Sequence, residues 1–472
     1  MKGNGLKSRR PDWRNYQSNL RRESAKKRLP ERFSGSALGT VFFFVIIIYG
    51  VIGGPGGAAY NYQEEIPADW FPNDKYALRS DPRPSYQVIG KEDIRYLLDS
   101  SVFTNIRNKT FDAVSEGQQM QVKTTLDIPL QRFLLDTVFP SPTSRYIGIV
   151  AMDPYTGRVL AMVSFDKNNE KNNACVDRQF PAASVFKIVT AAAAVEKCGL
   201  NSDSEISYSG RKHTLYKFQL KEEPRRKADT ITLRESFAQS VNPVFGKIGV
   251  HYLGKTAIEQ YGEAFGFNRH ILFEIPLRPS TLSISDEPYQ WAEVASGFNR
   301  QTTISPVHGA LMTSAILNQG RLMEPILIEQ IRDKNGRMLY RSHLTVLNQA
   351  VSPESSGVIK ELMRATIESG TCRKFFKGYE KDPVLSRLNI GGKTGTICSE
   401  NQDTRYDWFV GFAEEKEGTE KMVISIVIAH EKHIGIKSSQ YARMAMREYF
   451  SNCFAKHADN RPPAERLMTV SY

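Results

Sequence analysis

The sequence predicts an α+β protein in which an antiparallel sheet is flanked by helices. A mostly helical subdomain is inserted in the sheet, and one transmembrane helix precedes it. Three observations carry that prediction. Two pairs of short apolar runs, each joined by turn residues, lie far apart in the chain. The stretch between them is punctuated by helix start and stop signals, and an uncharged run follows a basic tail near the N-terminus. With 472 residues, 40% hydrophobic and 24% charged, the chain can bury a large core and has a globular composition.

In chain order, residues 1–35 form a basic tail. Its first 34 residues hold 11 Lys/Arg against 3 Asp/Glu, a net +8 of the chain's formal +12. From Gly35 to Ala59 no charge occurs, and a bilayer-spanning helix needs roughly 20 such residues, so 36–55 is expected to be a membrane anchor. The positive-inside rule puts the tail in the cytoplasm and everything after Pro55 outside, at the inner membrane. An uncleaved anchor fits the long basic region better than a signal peptide does, although Gly57-Ala58-Ala59 leaves cleavage open. A charge run beside a span reads as a topology signal, so no nucleic-acid partner is expected.

Residues 56–121 are polar and proline-dotted, and are expected to form a short stalk module. A main domain is expected over 122–456, with a C-terminal tail over 457–472. Asp127 and Pro129 open an amphipathic helix. Two apolar runs within 145–165 flank Asp153-Pro154-Tyr155-Thr156-Gly157, which has hairpin-turn chemistry. Runs at 408–413 and 422–430 repeat the scheme, and a helix over about 438–454 is expected to cover the sheet. Between the hairpins, Thr232 and Glu235 form a capping-box pattern. Ser305-Pro306 opens a helix that Gly320 can close, 355–370 is another, and Lys334-Asn335-Gly336 reads as a turn.

Five cysteines lie on the side expected to be oxidising, where disulfides are permitted; the odd count leaves at least one unpaired. Eight histidines show no metal spacing, and neither metal nor cofactor is expected.

Three motifs carry chemistry. Ser184-Val185-Phe186-Lys187 opens an apolar helix, with Pro181 expected at its start, and positions i and i+3 share a face. The tetrapeptide pattern alone is cheap: Ser24/Lys27, Ser164/Lys167 and Ser209/Lys212 share it. Only the Ser184 copy begins a charge-free helix. The second motif is Ser240-Val241-Asn242, between a helix and Pro243. The third is Lys393-Thr394-Gly395-Thr396 on a glycine-rich strand, where a bound backbone can approach closely. Each has a plain alternative as a cap, a turn or an edge residue. Their order is what weighs, since this set marks penicillin-binding proteins and β-lactamases.

From about residue 123 to 454 the chain resembles the transpeptidase domain of a monofunctional, class B-like penicillin-binding protein. The runs Tyr146 to Val163, Thr303 to His308 and Asp407 to Ala413 resemble the family's flanking motifs. The resemblance implies Ser184 as nucleophile, Lys187 as its base and Ser240 as a proton relay to the leaving group. It implies that Asn242 holds the substrate amide, that Lys393, Thr394 and Thr396 bind the terminal carboxylate beside Gly395, and that the N–H groups of Ser184 and Thr396 form an oxyanion hole. Peptidoglycan stem peptides ending in D-Ala-D-Ala are the implied substrate, β-lactams the implied inhibitors, and other cell-wall synthesis proteins potential partners. One departure stands out. The family usually has Pro-Gly before the nucleophile, where this chain has Ala182-Ala183, so slower acylation is expected. A D,D-carboxypeptidase, a β-lactamase and an inactive scaffold or sensor are the alternatives. No Glu-x-x-Leu-Asn loop favours the β-lactamase, and residues 55–121 are too short for a second catalytic domain.

Overall fold

A computed structural model describes residues 89–459, apart from 116, 140–142, 178, 222–227 and 432. The tail at 1–35, the span at 36–55, the first part of the stalk and the C-terminal tail from 460 lie outside the described residues. Among the described residues no helix is long and apolar enough to cross a membrane.

The central sheet has five strands: β1 (Ser144–Met152), β2 (Val159–Asp166), β3 (Leu388–Cys398), β4 (Arg405–Glu415) and β5 (Lys421–His430). Their order is β3-β4-β5-β1-β2 and every pairing is antiparallel. The two hairpins expected from sequence thus join through β5 and β1, with Ile426 opposite Ile149. Because side chains alternate along a strand, β1 sends Ile147, Ile149 and Ala151 to one core and Val150 and Met152 to another. Both faces are covered, so these strands read as unbroken apolar runs rather than as alternating ones.

Helices α1 (Ile128–Val138), α2 (Lys187–Cys198), α3 (Leu233–Ala238), α4 (Asn242–Lys247), α5 (Pro306–Leu317), α6 (Pro353–Glu368) and α7 (Ser438–Asp459) complete the frame. On one face α1 and α7 pack Leu134, Tyr441, Ala445 and Phe450 against the sheet. On the other lies α5, buried along all twelve residues. Its start is fixed as the sequence predicts: Ser305 Oγ accepts from His308 N at 3.1 Å, with Pro306 following. Thr232 caps α3 in the same way through Glu235 N.

Three expectations need correction. The boundary at 121/122 falls inside a strand, Gln118–Thr124, which pairs with Ile328–Asp333 so that Val122 faces Ile331. The preceding helix Lys91–Leu97 is bound to the same body: Lys91 Nζ lies 2.5 Å from Glu324 Oε1 and donates to Pro325 O at 2.8 Å. Pro181 does not open the nucleophile helix. It pairs with Thr303 in a two-residue bridge, and a 3-10 turn over Ala183–Phe186 leads into α2. Helix α6 starts two residues earlier than expected, capped by Ser352. All five cysteines are free.

Candidate active site

The three motifs lie far apart in the chain, and the fold brings them together. The segment before Ser184 is held on both sides: Ala182 N donates to Thr302 O at 2.9 Å, and Trp408 Nε1 to Pro181 O at 2.9 Å. Phe180 packs edge-on against Trp408, with ring centroids 6.2 Å apart. So clamped, Ala183 adopts φ +49°. That left-handed conformation costs an alanine roughly 1–2 kcal/mol, and it falls at the position where the family usually has glycine. Gly297 explains the tightness. At φ +65°, a Cβ there would lie 1.9 Å from Ala183 O, so no larger residue fits without moving the nucleophile's neighbour.

Lys187 is wholly buried at the start of α2, and its Nζ has three oxygen neighbours. Ser184 Oγ lies at 2.9 Å, Asn242 Oδ1 at 2.8 Å and Ser296 O at 2.5 Å. Burial, and then the charge of Lys393, hold the pKa of Lys187 well below the usual lysine range. The geometry suits the neutral amine. Its two N–H bonds can serve the two carbonyl oxygens, which leaves its lone pair for the Ser184 hydroxyl proton. The ring of Phe245 lies 5.4 Å from the same nitrogen and excludes water from that side.

Ser240 sits in the turn between α3 and α4, and Asn242 is the first residue of α4. Ser240 takes φ +57°, which turns its side chain towards the third motif. Lys393 Nζ donates to Ser240 Oγ at 3.0 Å and to Thr394 O at 3.0 Å. Lys393 is fully buried, and burial lowers its pKa to about 7, opposed only weakly by the Cys372 thiol. The motif lies on β3, the edge strand of the sheet, with Lys393 opposite Val410 and Gly395 opposite Trp408. A Cβ on Gly395 would come within 3.3 Å of Ser184 N, so the strand passes directly beside the nucleophile. Thr396 is exposed and Thr394 half-buried.

Four contributors lie outside the motifs. Ser296 acts through its backbone carbonyl. Thr371 Oγ1 lies 2.6 Å from Thr394 Oγ1, and its N–H donates to Ala238 O at 3.0 Å, tying the second motif's helix to the third motif's strand. Phe237 faces Lys393 at 5.5 Å as Phe245 faces Lys187. Backbone groups and single hydroxyls leave no pattern in sequence; the paired aromatics at 237 and 245, flanking Ser240-Val241-Asn242, were the one available signal.

Comparison with known proteins bears on the family and the fold. The family model for the penicillin binding protein transpeptidase domain matches residues 147–449. The chain is 24% identical over 320 residues to the peptidoglycan D,D-transpeptidase PbpA of Mycolicibacterium smegmatis, covering 60% of this chain and 61% of that protein. It is 24% identical over 337 residues to stage V sporulation protein D of Bacillus subtilis, covering 66% of this chain and 50% of that one. The chain therefore spans about half to three-fifths of these relatives' length. Among solved structures, the D,D-transpeptidase domain of a peptidoglycan glycosyltransferase from Eggerthella lenta superposes with a TM-score of 0.58 at 23% identity, over 74% of this chain and 85% of that one. The ceftriaxone acyl-enzyme of penicillin-binding protein A from M. tuberculosis gives 0.56 at 20% identity, over 69% and 78%. The fold is shared with both. With a family model matched over well more than half its length, and three motifs gathered at one edge of the sheet, the chain belongs to the penicillin-binding protein transpeptidase domain family.

Proposed function

We propose that this chain is a serine D,D-transpeptidase that cross-links peptidoglycan stem peptides through an acyl-enzyme on Ser184, anchored in the membrane by residues 36–55. The observation that carries the reading is the buried Lys187 amine, 2.9 Å from Ser184 Oγ, with two further acceptors occupying its N–H bonds. A serine hydroxyl is a weak nucleophile and needs an adjacent base, and a lysine can be that base only when neutral. Here desolvation and a second cation supply the neutrality.

In the proposed reaction, Lys187 takes the Ser184 proton as Oγ attacks the carbonyl of the penultimate D-Ala. The tetrahedral oxygen is met by the N–H groups of Ser184 and Thr396, a donor pair of the kind that contributes about 3 kcal/mol each. Ser240, bonded to Lys393, passes a proton to the departing D-alanine nitrogen. Lys393, Thr394 and Thr396 bind the substrate's terminal carboxylate beside Gly395, and Asn242 holds its amide. An amine from a neighbouring stem then attacks the ester and restores Ser184. β-Lactams, which carry a carboxylate beside a strained amide, acylate the same serine. The mycobacterial penicillin-binding protein A of the same fold, with bound ceftriaxone described as an acyl-enzyme, supports that expectation.

Incubation with a D-Ala-D-Ala thioester and a D-amino acid acceptor tests the reading. Transfer product formed by the wild type and lost in Ser184→Ala is expected. Hydrolysis alone would make the protein a carboxypeptidase, and rapid turnover of nitrocefin would make it a β-lactamase.

A further inference from the structure

We propose that the cavity beside the third motif, walled by the loop at 370–380, is the acceptor subsite of this enzyme, and that it takes an amine-bearing peptide whose carboxylates meet Arg373, Lys374 and Lys377. The proposal rests on the transpeptidase reading and names the acceptor class which that reading leaves open.

The chemistry fixes the side from which the acceptor enters. In the second half-reaction the acceptor nitrogen attacks the carbonyl carbon of the Ser184 ester. A C–N bond forms, the C–Oγ bond breaks, and one proton of the amine returns to Oγ. This retraces in reverse the step that expels D-alanine, so the incoming nitrogen takes the place of the departed one. The body of the acceptor therefore lies where the leaving group lay, on the side of Lys393, Thr394 and Thr396. A cavity of about 630 Å³ abuts that motif. Thr371, in its wall, has Oγ1 2.6 Å from Thr394 Oγ1. Phe376, also in the wall, stacks at 6.1 Å on Phe409, the strand partner of Thr394.

The cavity is lined by three exposed cations, Arg373, Lys374 and Lys377. Lys374 Nζ lies 4.7 Å from the centre of the Phe375 ring, and among the described residues none of the three is engaged in an ion pair. Two carboxylates share the wall. Glu368 is already held by Arg234 at 2.7 Å and by Arg364 at 3.5 Å, which leaves Glu380 as the counter-charge. The loop is also fixed from behind: Arg443 Nη1, on α7, donates to Phe375 O at 3.0 Å and to Lys377 O at 3.1 Å. Cations held in excess around a formed cavity steer and select an anionic peptide, and the planar fork of an arginine matches a carboxylate. The same positive surroundings favour the neutral form of the incoming amine, which is the form that attacks.

The test uses the full chain in detergent, with the D-Ala-D-Ala thioester as donor and two acceptors in competition, Gly-Glu-Glu and Gly-Gln-Gln-amide. Both peptides draw on one acyl-enzyme, so the ratio of their products is independent of how fast it forms. Charge-assisted contacts should favour the acidic product by about 10-fold at low salt, and by less as salt is added. Arg373→Gln combined with Lys377→Gln should bring the ratio to about 1 with the thermal unfolding midpoint unchanged; the wild-type salt dependence stands whether or not that variant folds. Equal products from the wild type, a ratio that neither salt nor the paired substitution moves, or transfer to a D-amino acid but to neither peptide would overturn the proposal. Hydrolysis of the acyl-enzyme with no transfer to any amine would instead sink the transpeptidase reading, which keeps the two failures distinct.

Discussion

Replacing Lys393 by methionine should stabilise the protein at neutral pH, and by less as the pH rises. In the fold, burial lowers the pKa of this lysine to about 7, against 10.5 for a free one. Below pH 7 the ammonium is present in both folded and unfolded chains, so the fold bears the full cost of burying it. Between pH 7 and 10.5 the folded chain has shed the proton while the unfolded chain still holds it. Stability must therefore rise with pH across that window, by up to about 1.4 kcal/mol per pH unit for one group. Methionine has a similar length and nothing to titrate. The stability of Lys393→Met relative to wild type should then fall by about 2–3 kcal/mol between pH 7 and pH 9. The lost bonds to Ser240 Oγ and Thr394 O subtract a pH-independent amount and leave that slope intact. Losing the Lys393 charge also relieves Lys187, which adds in the same direction. Urea unfolding of both proteins at pH 6, 7, 8 and 9 measures it. A difference that is flat with pH, or that grows towards pH 9, would refute the claim that a buried charge is held here at the expense of stability.

Gly297→Ala combines a left-handed backbone, about 1–2 kcal/mol, with a Cβ 1.9 Å from Ala183 O. With about 1–3 kcal/mol more for overpacking, a loss of roughly 2–5 kcal/mol and about 100-fold slower penicillin acylation are expected; wild-type values in thermal unfolding and labelling kinetics would contradict this. Ala183→Gly relieves a similar backbone cost but removes a buried methyl worth about 0.8 kcal/mol and loosens the unfolded chain by about 0.4–1 kcal/mol. Its stability should stay within about 1 kcal/mol of wild type while acylation is equal or faster, and slower labelling would show that the strain aids catalysis. Lys91→Met leaves Glu324 and Glu274 buried without their cation and should cost about 3–5 kcal/mol in urea unfolding. An unaffected midpoint would mean that helix Lys91–Leu97 is not anchored through that pair.

What the sequence disclosed follows from where the information is stored. The central hairpins were legible because β1, β2, β4 and β5 are buried on both faces and spell continuous apolar runs. Helices α3 and α5 were legible because their caps are local. The expected stalk boundary at 121/122 splits the strand Gln118–Thr124 because Gln119, Gln121 and Lys123 alternate with its buried positions, and its partner lies some 200 residues later. Pro181 carries a helix-start signal that the bridge to Thr303 overrides. At the site, Ser184, Lys187, Ser240, Asn242 and Lys393 form motifs, and the fold gathers them into two neighbouring hydrogen-bonded groups, Lys187 with Ser184 and Asn242, and Lys393 with Ser240. Ser296 and Thr371 act through a carbonyl and a lone hydroxyl. Neither recurs at a spacing that chemistry would single out.

The central claim is that Ser184, primed by a neutral Lys187, is the residue that becomes acylated. Mass spectrometry of the full chain after penicillin treatment, followed by peptide mapping, tests it most directly. A single adduct on the peptide containing Ser184, absent from Ser184→Ala and formed far more slowly in Lys187→Ala, is the predicted result. An adduct on any other residue, or undiminished labelling without the lysine, would contradict it.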